Sequence, residues 1–199
     1  MLATMPMVTA LAVETYPAAG VTAASPAMDP VNRPTNFGFF SNVQATMSHV
    51  IAAKEAATPE FKSYAHAIVA NAKVLAEGLL SKGFSLVTGG TDNHLILIDL
   101  RSKNVSGKVA AQALDRAGIV GNYNSIPFDP RKPLDPSGIR IGTPALTTRG
   151  MGVDEMRRIG AWMLEALRSP DDAAVTRRIR GEVSTMCKSF PVPAAGMDA

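Results

Sequence analysis

Ser137-Gly138-Ile139-Arg140-Ile141-Gly142-Thr143 alternates as a strand between two glycines, with one charge among isoleucines. A cation on a half-buried strand needs a partner, because an unpaired buried charge is very costly. Arginine presents a planar fork that fits a carboxylate at two points. Arg140 is therefore a receiver for a carboxylate, a member of a structural ion pair, or an exposed edge cation. Upstream, Leu95-Ile96-Leu97-Ile98 is apolar at every position, which predicts a strand covered on both faces. Phe84 to Val87 reads as a short strand, with Gly89-Gly90 as the turn after it. Ile119-Val120 reads as another short strand.

Helices surround these strands in the chain. Residues His49 to Ala57 are Ala-rich and helix-favouring. Thr58-Pro59-Glu60 then supplies a hydroxyl cap, a first-turn proline and an early acid. Phe61, Tyr64, Ile68, Ala72, Leu75 and Leu79 follow at spacings of three and four, the stripe of a long helix ended by Gly83. Ser106-Gly107 opens a second helix with Val109, Ala113, Leu114 and Ala117 inward, stopped at Gly118. Met156, Ile159, Met163, Leu164 and Leu167 mark a third. Pro170 separates it from a fourth, with Val175, Ile179, Val183, Met186 and Phe190. A Pro-rich connection, Asn122 to Pro136, precedes the Arg140 strand, and a loop that long is often functional. The element order predicts an α+β layer structure, a small sheet with helices packed on it.

The chain has 199 residues, 46% of them hydrophobic, which suits one domain with an appendage and excludes a wholly disordered chain. No apolar run reaches the roughly 18 residues of a membrane span. The net charge of +3 is small, and Arg157, Arg158, Arg177, Arg178 and Arg180 lie among acids. They read as a solvated helix face, so neither nucleic acid nor membrane is expected as a partner. The single Cys187 excludes an internal disulfide and a multi-cysteine zinc site. No Lys or Arg precedes Arg33, so the start carries no export signal and a cytoplasmic setting is expected. Expected boundaries are a poorly ordered extension at 1–40, lead-in helices at 41–83, a small α+β domain at 84–191 and a tail at 192–199.

Few other residues suggest chemistry. His94 opens a strand and reads as a structural residue. His49 and His66 lie too far apart to form a metal pair, so no metal site is expected. Gly89-Gly90 lacks the rest of any phosphate-loop or dinucleotide fingerprint. Cys187 reads as a partly buried, inert thiol. The amides of Asn122-Tyr123-Asn124-Ser125 suit either a polar heterocycle or simply a turn.

Four segments, in order, resemble serine hydroxymethyltransferase. They are Thr88-Gly89-Gly90-Thr91-Asp92-Asn93-His94-Leu95, Ala113-Leu114-Asp115-Arg116-Ala117-Gly118-Ile119, Asn124-Ser125-Ile126-Pro127-Phe128-Asp129-Pro130, and Ser137 through Gly150 with Gly142-Thr143-Pro144-Ala145-Leu146-Thr147-Thr148-Arg149-Gly150. The resemblance runs from about His49 to Leu167, continues more weakly to Pro191, and ceases before Phe40. It implies the small C-terminal domain of the aspartate-aminotransferase-type (fold type I) pyridoxal phosphate enzymes. The family moves a one-carbon unit between serine and tetrahydrofolate, producing glycine and methylene-tetrahydrofolate. By resemblance, Arg140 grips the substrate carboxylate, while Asn124 and Pro133 face the folate. Lys132 and Leu134 differ from the usual Ser and Phe there, and Tyr123 stands where a basic residue is common.

The resemblance also shows what is lacking. The cofactor forms a Schiff base with a lysine after a threonine-rich histidine motif, and no such motif occurs here. Lys54, Lys62, Lys73, Lys82, Lys103, Lys108, Lys132 and Lys188 all lie in other contexts. No catalytic residue and no covalently bound pyridoxal phosphate are therefore expected of this chain alone. The expectation is a substrate- and folate-side portion that is inactive by itself and binds amino acid and folate weakly if at all. The alternatives are an interaction module that pairs with a large domain or a homologous subunit, and a truncated or frameshifted remnant.

Overall fold

A computed structural model describes residues 52–193. The expectations for residues 1–51 and for the tail beyond residue 193 lie outside the described residues. Of the described residues, 52–65 belong to one compact unit and 66–193 to another.

In the first unit, residues 52–56 are helical. Thr58 then starts helix α1 (Pro59–Ser81), its hydroxyl accepting from Phe61 N at 3.2 Å and donating to Glu55 O at 2.8 Å. That is the hydroxyl cap and first-position proline read from the sequence. The rings of Phe61 and Tyr64 meet edge to face at 5.8 Å.

In the second unit, α1 buries Ala72, Leu75, Ala76 and Leu79. Strands β1 (Ser85–Leu86), β2 (Leu95–Asp99), β3 (Asn122–Asn124) and β4 (Gly138–Gly142) form one antiparallel sheet in the order β1-β2-β4-β3. Helices α2 (Gly107–Arg116), α3 (Pro144–Thr148), α4 (Val153–Arg168) and α5 (Ala173–Ser189) complete it. This is an α+β arrangement, as the element order predicted. None of the described helices is long and apolar enough to cross a membrane.

One face of the sheet is sealed. Ile96, Ile98, Ile139 and Ile141 join Leu114 of α2, Met156 and Met163 of α4, and Ile179 and Val183 of α5 in one core. Burying each such side chain contributes about 1.5–3 kcal/mol. The other face is open to a different degree. Leu95 and Leu97 are only half-buried, so β2 alternates rather than being covered on both sides. An apolar run reports what a strand tolerates; helices that pack on one face decide what it meets.

Two further expectations are corrected. Ile119 makes only an isolated bridge, and the edge strand is Asn122–Asn124, which the sequence had placed in the loop. Asn is poor in strands, but pairing to β4 engages the backbone of this edge segment and overrides that preference. In α2, Val109 is 40% exposed, and the inward stripe is Ala110, Ala113, Leu114 and Ala117. Val109 sits where its N–H is capped by Ser106 Oγ at 3.3 Å, about 100° around the helix from Ala110.

The end of β4 is latched to α1. Thr143, fully buried, donates its hydroxyl to Ile68 O at 2.9 Å. Buried Asn71 donates from Nδ2 to Thr147 Oγ1 at 3.0 Å and to Met151 O at 2.9 Å. On the far side, α4 and α5 are clipped by Trp162 Nε1, which donates to Glu182 at 2.7 Å, and by Arg178, which pairs with Glu165 and Glu182. Arg157 pairs likewise with Asp154, so of the five helix arginines these two are balanced by acids among the described residues.

Candidate functional site

The open face of the sheet centres on Arg140. Its strand is interior, flanked by β2 and β3, with Leu97 and Asn122 as its register partners. Arg140 is half-buried, and its Nε is buried without a hydrogen-bond partner among the described residues. Among the described residues Arg140 makes no ion pair, and its strand is interior rather than an edge. Such an orphaned donor carries a desolvation cost of about 1–3 kcal/mol until something accepts from it.

The nearest acid along this face is already engaged. Asp99, opposite Gly138, accepts from Arg101 Nε at 3.0 and 3.1 Å and from Nη2 at 2.7 Å. That guanidinium holds the Asp99 carboxyl below its ordinary range. Asn124 lies two residues along β3 from Asn122 and so shares its face, opposite Gly138. A diagonal pair of this kind is roughly 7–8 Å apart. Asn124 is half-buried and donates Nδ2 to Ser125 O at 2.7 Å.

Pro133 lies elsewhere, on the exposed part of the loop between β3 and β4. Asp129 organises that loop. Its carboxylate accepts from Ile126 N at 3.2 Å, Arg131 N at 3.0 Å, Ser137 N at 2.9 Å and Ser137 Oγ at 2.7 Å. Burial pushes the Asp129 carboxyl up, but these donors together outweigh it and hold the group well below the usual carboxylate range. Arg131 closes the loop on Asp135, donating Nε to its carbonyl at 2.9 Å. The structure thus brings Arg140 and Asn124 onto one face and leaves Pro133 on a separately braced loop.

The remaining candidates stay apart from this face. His94 is exposed, and its carbonyl accepts from Thr143 N at 3.2 Å. Cys187 is buried in the core, which pushes its thiol above its ordinary range. Among the described residues, no group of His, Cys, Asp and Glu is placed to hold a metal ion. Asn122, which the sequence offered as a heterocycle contact or a turn residue, lies directly opposite Arg140, a placement its turn preference did not suggest. Its spacing of two from Asn124 was the available signal.

The site is a half-buried arginine on an interior strand of an antiparallel α+β sheet, its Nε without an acceptor among the described residues. The sequence profile of the family described as serine hydroxymethyltransferase matches residues 26–163. The chain is 60% identical over 148 residues to the serine hydroxymethyltransferase of Sorangium cellulosum, covering 74% of this chain and 35% of that protein. It is 60% identical over 159 residues to that of Acidothermus cellulolyticus, covering 77% and 37%. For that of Rhodopirellula baltica the figures are 56% over 154 residues, 75% and 37%. The chain belongs to the serine hydroxymethyltransferase family. It spans a little over a third of the length of these relatives. The family match starts at residue 26, which corrects the expectation that the resemblance ceases before Phe40.

Pyridoxal phosphate is this family's cofactor, and its covalent attachment requires a lysine. No strand of the sheet carries a lysine. Lys103 stands over the Phe84 ring at 5.1 Å, Lys82 is half-buried, and Lys54, Lys62, Lys73, Lys108, Lys132 and Lys188 are exposed.

Proposed function

We propose that residues 84–191, led in by the helices of 41–83, form the substrate-side small domain of a fold-type-I, pyridoxal phosphate-dependent serine hydroxymethyltransferase. The observation that carries this reading is the buried Nε of Arg140, which has no hydrogen-bond partner among the described residues. A carboxylate offers two oxygens to the guanidinium fork, and a charge-assisted bidentate contact fixes orientation as well as position. Arg140 would hold serine or glycine by its carboxylate, leaving the amino end directed away from the sheet. Asn124 and the Pro133 loop would face the folate. The face then needs a cover, supplied by a large domain or a homologous subunit. The bond-breaking step belongs to that larger assembly, and this chain binds and orients in a cytoplasmic setting.

The test mixes the purified chain with the N-terminal portion of the Sorangium cellulosum relative and pyridoxal phosphate, then measures glycine formed from serine. Activity that depends on both pieces, and is lost on Arg140→Ala, supports the reading. Activity indifferent to Arg140→Ala sinks it. Adding pyridoxal phosphate and borohydride to the chain alone should leave no fixed chromophore; a lysine-dependent one would reassign the catalytic role.

A further inference from the structure

We propose that Asn122 is a second carboxylate-contacting residue, forming with Arg140 a single two-residue receptor. This rests on the reading of Arg140 as a carboxylate receiver.

The antiparallel register places Asn122 directly opposite Arg140, on the same face. Directly opposed residues hold their Cβ atoms about 4.5–5.5 Å apart. Asn122 is half-buried, and its side-chain amide has no hydrogen-bond partner among the described residues. The contrast with Asn124 is informative, because that amide is already spent on Ser125 O.

Leu97 flanks Arg140 on the other side. Along β4 the same-face neighbours are Gly138 and Gly142, which have no side chains. A Cβ on Gly138 would meet Ile126 Cγ2 at 2.6 Å, and one on Gly142 would meet Leu95 Cδ2 at 3.4 Å. So Ile126 and Leu95 pack over the glycines on either side of Arg140, and of its two register partners, Leu97 and Asn122, only Asn122 is polar. Asp99 and Asn124 lie on the diagonal, with their groups engaged elsewhere.

Strand preference does not explain Asn at this position, since Asn is among the residues strands avoid. A ligand does. A carboxylate has about four lone-pair sites, and a bidentate arginine uses two. The Asn122 Nδ2 group can donate to a third without adding a second charge.

The experiment is an NMR titration of the labelled full chain with glycine, serine and acetate, followed at the Arg140 Nε–H resonance. The wild type should shift saturably. Asn122→Ala and Asn122→Val should each weaken binding about tenfold, as expected for loss of one hydrogen bond to a charged ligand. Valine is included because it favours the strand, and amide dispersion reports that the sheet is intact. Asn122→Asp should abolish the shift, because its carboxylate occupies the guanidinium from within. Wild-type affinity in the Ala and Val variants, with binding still lost in Arg140→Ala, would overturn this inference and leave the carboxylate reading standing. Undiminished binding in Asn122→Asp would overturn it too. No saturable response in the wild type, or a response that survives Arg140→Ala, would overturn the carboxylate reading and this inference together.

Discussion

On one face of β4, Ile139 and Ile141 are 0% and 2% exposed and meet hydrocarbon. On the other face, one residue away, Arg140 keeps a buried N–H with no acceptor among the described residues. The same strand therefore does two opposed things. Its inward side chains lower the free energy of the folded chain, and its outward one raises it. A fold selected only for stability would have placed Val or Thr at position 140. The sealed face supplies the surplus that offsets the orphaned donor; on the proposed reading, a ligand would recover that cost.

That contrast can be broken by measurement. Ile139→Ala should lower stability by about 2–5 kcal/mol, read as a fall in the urea midpoint at unchanged slope. A loss under 1 kcal/mol would mean that the sealed face is not what holds the sheet. Arg140→Met keeps the stem and removes the unsatisfied group, so it should raise stability by about 1–2 kcal/mol while abolishing carboxylate binding. A destabilised Met variant would show that the guanidinium has a structural partner after all.

The loop beside the open face should respond more modestly. Asp129→Asn forfeits acceptor strength toward Ile126, Arg131 and Ser137, at a cost on the order of 1 kcal/mol. The sign with pH follows from the lowered carboxyl. Its contribution is complete above about pH 4, the ordinary carboxylate value, and is lost as pH falls from there toward the depressed folded value. Asp129→Asn should therefore flatten the acid limb of a stability profile; an unchanged acid limb would show that other carboxylates govern it. Smallest of all, Glu182→Gln should cost under 1 kcal/mol, because the ion pairs it makes are largely solvated. It should still move the fluorescence of the single Trp162, whose indole donates to Glu182. A large stability change there would make the α4–α5 clip a structural rival of the sealed face.

Local signals were legible wherever the chain interacts with itself nearby. Thr58-Pro59 began a helix, Gly83 and Gly118 ended helices in the left-handed conformation, and the stripes of α4 and α5 chose the buried side chains. Arg140 was legible too, since a lone charge between isoleucines demands an explanation. What did not show was register. Asn122–Asn124 looks like a turn in isolation and becomes a strand only because β4 lies beside it. For the same reason Asn122 went unnoticed opposite Arg140. The uniform run Leu95–Ile98 could not say which face the helices would choose. Val109 and Ala110 differ by one helical step, and hydrophobicity favoured the larger residue over the one that fits.

The latch from Asn71 and Thr143 to the end of β4 has a consequence for connectivity. The turn at residues 88–94 is largely exposed and joins β1 to β2. A protease that nicked it would separate α1 and β1 from the rest in sequence. It would not separate them in space, because the latch, the β1–β2 pairing and the buried Leu75 and Leu79 all survive the cut. Two halves expressed as separate polypeptides should therefore find each other and assemble, which makes that turn the natural place to split the chain or to open it for circular permutation.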